Sequence, residues 1–205
     1  MAKTTFAEEI YLRALTGKVI GEQMVSEYAK VAFVSPKNII CCAISAAAEA
    51  AYLIRTGARA AHFIADPDNL DHMAQEIQRF LPEAVVLMFG GETPIEETKR
   101  LFLNTLKAFA RAGLEADLVV HVRIFAAGGL QEAVKDPEIL NFLSRNDLYV
   151  YTADLDQGLF LYNSLHIERD GSFHLHRIAE FPVTVEHAEL LNRSLRNKTL
   201  KWVDL

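Results

Sequence analysis

Short unbroken apolar runs alternate along the chain with stretches of helical period. Residues 39–44 (Ile-Ile-Cys-Cys-Ala-Ile), 62–65, 84–89, 117–125 and 147–152 are such runs. Each predicts a strand, because strands covered on both faces of a parallel sheet read as continuous apolar segments. Between them the period predicts an alanine-rich helix at 46–55 and a helix at 70–80 with Met73, Ile77 and Phe80 on one stripe. A long helix follows at 95–112 with Ile95, Phe102, Leu106 and Phe109 inward, then broken helical material at 126–143. Two helices precede the first run. One spans 5–15 and stops at Gly17; the other spans 21–33, with Met24, Val25, Tyr28 and Ala32 inward, and ends before Pro36.

Past residue 156 the period shortens to two. Asp170-Gly171 between alternating segments predicts a hairpin, with His174 and His176 on one face and Leu165 and Ile167 opposite them if the turn has two residues. A helix at 185–197 and a tail holding Trp202 close the chain. The sum is an α/β fold: a Rossmann-like, mostly parallel sheet with helices on both faces and a C-terminal antiparallel β-hairpin. No linker divides it, so residues 1–205 read as one domain, with a helical segment at 1–36, a parallel core at 37–156, and the hairpin and last helix at 157–205.

Composition agrees with a folded domain, since 51% of the 205 residues are hydrophobic and 23% are charged. A net charge of −6 argues against nucleic acid or an anionic membrane as the main partner. The first nine residues lack the apolar core of a signal peptide. The most apolar stretch, 43–54, is interrupted by Glu49 and is short for a bilayer span. A cytoplasmic location without a membrane partner is the expectation. The two cysteines, Cys41 and Cys42, are neighbours and read as buried thiols, too few for a zinc ribbon.

Parallel strands gather their C-terminal loops at one edge, where ligands bind in such folds. Here that edge should display Ser45, the 66–68 turn, the 90–93 loop, 126–129 and 152–154. Ser45 and Ala46 open the predicted helix, whose free N–H groups and dipole suit a phosphate; Ser45 as a plain N-cap explains the same residues. The glycine fingerprints G-x-G-x-x-G and G-x-x-x-x-G-K-[ST] are absent. Asp66 follows Ser45 at about the distance of a ribose-binding acid. This βαβ unit therefore resembles the general Rossmann arrangement, which implies a nucleotide; turn residues around Pro67 are the competing account of Asp66 and Asp68. Asp66, Asp68, Asp71 and Glu92 would suit Mg²⁺ chemically, yet no fixed spacing supports it and no metal is expected. In Gly90-Gly91-Glu92-Thr93-Pro94, Thr93 caps a helix begun by Pro94, which leaves the paired glycines and Glu92 unexplained except by close approach to a ligand.

The histidines add little. His174 and His176 have metal-site spacing without a third ligand, His121 reads as structural, and no Ser-His-Asp or Cys-His arrangement emerges. The expectation is a small anionic ligand, plausibly a nucleotide, held by Ser45, Ala46, Asp66, Asp68, Gly90, Gly91, Glu92 and Thr93. Catalysis and cofactor stay unassigned. With no lysine or arginine in the 45 and 90–93 loops, backbone N–H groups would carry the contacts. A non-catalytic assembly subunit with an empty crevice is the alternative. Apolar positions on the first two helices (Tyr11, Leu12, Met24, Tyr28) predict a homo-oligomer.

Overall fold

A seven-stranded sheet runs through the computed structural model, which describes residues 4–91, 93–168 and 172–196. Five strands are parallel: β1 (Lys30–Pro36), β2 (Arg59–Ala65), β3 (Ala84–Leu87), β4 (Asp117–Val120) and β5 (Leu148–Asp154). Two more, β6 (Leu159–Ile167) and β7 (Phe173–Pro182), add an antiparallel hairpin. The order is β2-β1-β3-β4-β5-β6-β7. The helices are α1 (Phe6–Val19), α2 (Ile39–Thr56), α3 (Leu70–Phe80), α4 (Ile95–Ala112), the short α5 (Val122–Ala126), α6 (Gly129–Ala133) and α7 (Pro137–Leu143), and α8 (Val185–Arg196). One face of the sheet buries Met73, Ile77, Phe102, Phe109 and Phe142 from α3, α4 and α7. The other buries Leu12, Ile44, Tyr52 and Leu190 from α1, α2 and α8 against Phe33, Val86 and Tyr151. This is the mixed α/β sheet, covered on both faces, that the apolar pattern implies.

One boundary is corrected. Residues 39–44 are the start of α2, and the first parallel strand is β1, which begins within the segment expected to be a helix at 21–33 and runs on to Pro36. An apolar run cannot by itself distinguish a strand from a buried helix; length decides. Read through the alanines, 39–56 is eighteen residues, a helix length, capped by Asn38 Oδ1 on the Cys41 amide (2.8 Å) and by Gly57 at φ 62°. Of the 21–33 helix only a π-helical turn, Ile20–Met24, exists, continuing α1. α1 itself starts at a Thr5–Glu8 capping box. Gly17 does not stop it. Gly17 and Gly21 instead let α1 and the π turn lie directly on α2, where a Cβ on either would overlap the carbonyl of Ile44 or Ala48.

Smaller corrections follow the same logic. β4 ends at Val120, and His121 caps α5 rather than sitting within a strand. Pro94, not Thr93, occupies the N-cap of α4. In the hairpin, His174 pairs with His166 and His176 with Ser164, one residue off the two-residue-turn register that would oppose them to Ile167 and Leu165. Asp170, Gly171 and Trp202 lie outside the described residues.

The residues expected to drive self-association are mostly interior. Leu12 and Met24 are core, and Tyr28 is half-buried, its hydroxyl donating to Asp117 at 2.6 Å, while Tyr11 is exposed as expected. Phe6 of α1 is exposed as well, and α2 adds Ile39, Leu53 and Ile54 (85% exposed). α2 is also long and apolar enough to cross a membrane by length and composition, although its inner face (Ile40, Ile44, Ala48, Tyr52) is packed into the domain core.

Candidate functional site

In a doubly wound sheet the crevice opens where the chain reverses its direction of travel across the sheet. Here that point lies between β1 and β3, since α2 leaves β1 toward one face and α4 leaves β3 toward the other. The chain's own atoms fill it. A Cβ on Gly91 would overlap Asn38 Oδ1 and Cys41 Sγ, and one on Gly90 would overlap the His121 ring. The paired glycines thus allow the loop a close approach to Asn38, Cys41 and His121. Asn38 Nδ2 reaches Thr93 Oγ1 at 3.4 Å, tying the start of α2 to the 90–93 loop.

Beside this plug lies a group of polar side chains, Arg123 half-buried and Arg13, His121 and Tyr151 buried. Arg123, at the start of α5, donates from Nη2 to the Thr93 carbonyl (3.1 Å), while its backbone N–H donates to His121 Nδ1 (3.0 Å). Its Nε and Nη1 are buried without a partner. So is Nε of Arg13, which α1 brings in at 8% exposure and which pairs through Nη2 with Glu9 (3.2 Å). Tyr151, fully buried on β5, packs edge-on against His121, and its hydroxyl also has no partner. A buried polar group left unpaired costs about 1–3 kcal/mol. Four such atoms in one neighbourhood are an expense that packing does not require.

Electrostatics tie these groups together. Burial pushes Arg123 below its ordinary pKa, the Cys41 thiol opposes that shift, and Arg13 adds to it. Burial raises the Cys41 thiol, so it stays protonated, although the Gly90 backbone, Asn38, Arg123 and Arg13 all pull it down. Burial likewise holds the Tyr151 phenol neutral. His187 of α8 meets Thr16 Oγ1 at 3.1 Å and is pushed down to about 4 by burial, with Arg13 adding to the effect.

The residues expected at the site are scattered by comparison. Ser45 is not at a helix start but inside α2, one turn past Cys41, fully buried with its hydroxyl unpartnered; Ala46 is exposed on the opposite side. Asp66 forms a turn, accepting from the Asp68 amide (3.2 Å), and pairs with Lys37 at 3.2 Å. That amide and then Lys37 hold its carboxyl below the ordinary value. Asp68 is exposed, and Asp71 pairs with Arg111 at 3.2 Å. Gly90, Gly91 and Thr93 adjoin the arginine group as described; Glu92 lies outside the described residues. Among those residues no three His, Cys, Asp or Glu side chains are grouped to hold a metal. His166 and His174 share Glu168 Oε1 at 3.8 and 3.9 Å on the exposed hairpin.

Sequence reading overlooked Arg123, Arg13 and Tyr151. The one available signal was the polar pair His121 and Arg123 directly after Leu-Val-Val, which marks a strand end rather than a longer strand. Also unforeseen, Ser35 Oγ lies 2.8 Å from His62 Nε2 with Cys42 Sγ 3.8 Å away. Burial keeps the His62 ring neutral, and Ser35 is fully buried, so this dyad presents no accessible nucleophile.

A family model described as "Uncharacterized protein" matches residues 9–190. A protein of Aquifex aeolicus (strain VF5), also described as "Uncharacterized protein", is 28% identical over 74 residues, 36% of this chain and 35% of that one. The match spans about a third of that relative. Among solved structures, a solute binding protein of an ABC transporter from Rhodopseudomonas palustris BisB5, in complex with 3,4-dihydroxy benzoic acid, has TM-score 0.49 and 10% identity, covering 85% of this chain and 66% of that one. A protein from Rhodospirillum rubrum described as a branched-chain amino acid ABC transporter has TM-score 0.48 and 17% identity, covering 69% of this chain and 37% of that one.

Proposed function

We propose a function from the site alone for this chain, which belongs to the "Uncharacterized protein" family matched over residues 9–190. It is a small-ligand-binding α/β domain whose ligand is anionic and seats at the C-terminal edge of the sheet on Arg123. The observation that carries this reading is the half-buried Arg123 side chain, tied to Thr93, whose Nε and Nη1 atoms are buried and unpartnered. No carboxylate among the described residues is hydrogen-bonded or ion-paired to it. A buried guanidinium is a strong receptor for a carboxylate or phosphate because its planar donors match such oxygens. Entry requires the Thr93 carbonyl to give up Nη2. The cation also replaces the earlier expectation of backbone contacts alone.

A nucleotide is the larger member of this ligand class. To bind at the start of α2, its phosphate would have to take the Cys41 amide from Asn38. The alternative, a non-catalytic assembly subunit without ligand, draws on the Gly91–Asn38–Cys41 packing that fills the β1–β3 crevice. A cytoplasmic location belongs to the main reading and accords with free, adjacent Cys41 and Cys42. Self-association belongs to it too, through the exposed apolar residues of α2.

A thermal-shift panel of nucleotides, phosphate and small carboxylates tests the reading. A ligand at about a hundred times its Kd adds roughly 2.7 kcal/mol, which in a chain of this size raises Tm by roughly 5–10 °C. Arg123→Met should abolish that rise. A shift that survives the substitution would place the anion elsewhere, and no shift with any member would leave the assembly reading standing.

A further inference from the structure

We infer that the unpartnered donors around Arg123 select an oxo acid, a small carboxylic acid bearing a second acceptor oxygen, and reject the amino acid of the same carbon skeleton. The inference rests on the reading of Arg123 as the anion's partner. It comes from the balance of donors and acceptors facing that residue. The unsatisfied atoms are Arg123 Nε and Nη1, Arg13 Nε and the Tyr151 hydroxyl. Arginine nitrogens only donate, and a phenol that burial keeps protonated has a hydrogen to give. The unpaired hydrogens therefore belong to three side chains on α1, β5 and α5, more than one carboxylate resting on a single arginine would use.

Most acceptors, by contrast, are already engaged. Glu9 pairs with Arg13 at 3.2 Å and accepts from the hydroxyls of Thr4 and Ser194. The Thr93 carbonyl receives Arg123 Nη2, and His121 Nδ1 receives the Arg123 amide. Among the described residues of this group the Tyr151 oxygen is the one unpartnered atom able to accept from an ammonium, and a cation placed there would also meet two guanidinium groups. Charge points the same way. Arg13 and Arg123 against Glu9 leave one net positive charge, because His187 is neutral at pH 7, and a monoanion balances it. A carboxylate on one edge of the Arg123 guanidinium, with a keto oxygen turned to Tyr151 and Arg13, would satisfy orphaned hydrogens on all three side chains. An unpaired buried donor is what makes such sites discriminate against analogues lacking the matching oxygen.

Calorimetric titration of the full chain with matched sets tests this: pyruvate, propionate and alanine, then 4-oxopentanoate and pentanoate, so that two spacings of keto and carboxylate oxygen are sampled. At least one oxo acid should bind ten-fold or more tighter than its plain acid, with alanine weakest. Tyr151→Phe should erase that preference, bringing the oxo acid and its plain acid to the same affinity. It should also raise the Tm of the ligand-free protein, because it removes an unpaired hydroxyl; a hydroxyl that merely holds the fold together would lower it. Plain and oxo acids binding equally, with binding lost in Arg123→Met, would overturn the selectivity and leave the anion site standing. Binding insensitive to Arg123→Met, or none below about 1 mM for any acid, would overturn both.

Discussion

His121 and Tyr151 meet edge to face, their ring centroids 5.4 Å apart, where the end of β4 faces the side of β5. The contact continues through Phe160 (5.6 Å) to His187 on α8 (5.3 Å). One row of rings thus runs from the sheet edge beside Arg123 to the helix that holds α1 in place. α8 secures α1 through Arg193 to Glu8 (2.6 Å), Ser194 to Glu9 (2.7 Å) and His187 to Thr16 (3.1 Å). Arg13 reaches the interior because α1 is clamped from both sides.

Arg123→Met should stabilise the ligand-free protein. Replacing a buried, incompletely paired charge by an apolar side chain of similar length is neutral to stabilising, up to about 4 kcal/mol. Denaturant midpoints of the two proteins at pH 7 check this; a marked loss of stability would mean that the single Thr93 bond outweighs the burial cost.

Gly91→Ala should weaken the fold itself, by about 1–3 kcal/mol. Its Cβ would overlap Asn38 and Cys41, the cap and first turn of α2. Gly21→Ala, overlapping the Ala48 carbonyl, should cost at least as much. Urea unfolding of both variants decides the point: a Gly91 variant as stable as wild type would show that the loop has room to spare.

His187 makes stability depend on pH. Its folded pKa, about 4, lies below the ordinary histidine value, so the unfolded chain binds the proton first. The contribution is complete above about pH 6.5 and is lost as pH falls toward 4, amounting to roughly 3 kcal/mol. In His187→Gln the slope of unfolding free energy between pH 4 and 6.5 should flatten. An unchanged slope would assign it to other groups.

Asp117 carries the opposite sign. Burial raises its carboxyl despite the Tyr28 hydrogen bond, and Asp147 and Glu83 add to the rise. Its ionisation therefore opposes folding as pH rises through its folded value. Asp117→Asn keeps an acceptor for Tyr28 and should stabilise at pH 7, with the gain fading in acid. A gain that is equal at both pH values would rule out ionisation as its source.

Self-association through α2 predicts that Ile54→Glu, at a position 85% exposed, leaves Tm unchanged and lowers the sedimentation mass. Wild-type protein sedimenting as a monomer at micromolar concentration would remove the proposal.

Much of the architecture was legible because β2 to β5 contain short apolar runs bounded by turn residues, α3 and α4 carry a helical period, and strands β6 and β7 alternate. The β1–α2 unit was misplaced because Ile-Ile-Cys-Cys-Ala-Ile carries no period of its own, so its identity depends on the alanines that follow. Slipping one element moved the expected helix start from Asn38 to Ser45. Gly90, Gly91 and Thr93 were placed at the correct edge by topology alone. Arg13 was not, because a charged residue beside an apolar helical stripe looks like any solvated one until α8 covers it. Tyr151 gave no signal at all: an unpaired hydroxyl is a property of its neighbours, not of its own residue type.

The most direct test of the anion site is the Arg123 Nε–Hε resonance, followed by NMR as the best-binding acid is titrated in. An anion seated on the guanidinium should shift that proton downfield along a saturating curve, with the Kd found by calorimetry. Binding that leaves the Arg123 Hε resonance unmoved would contradict the site.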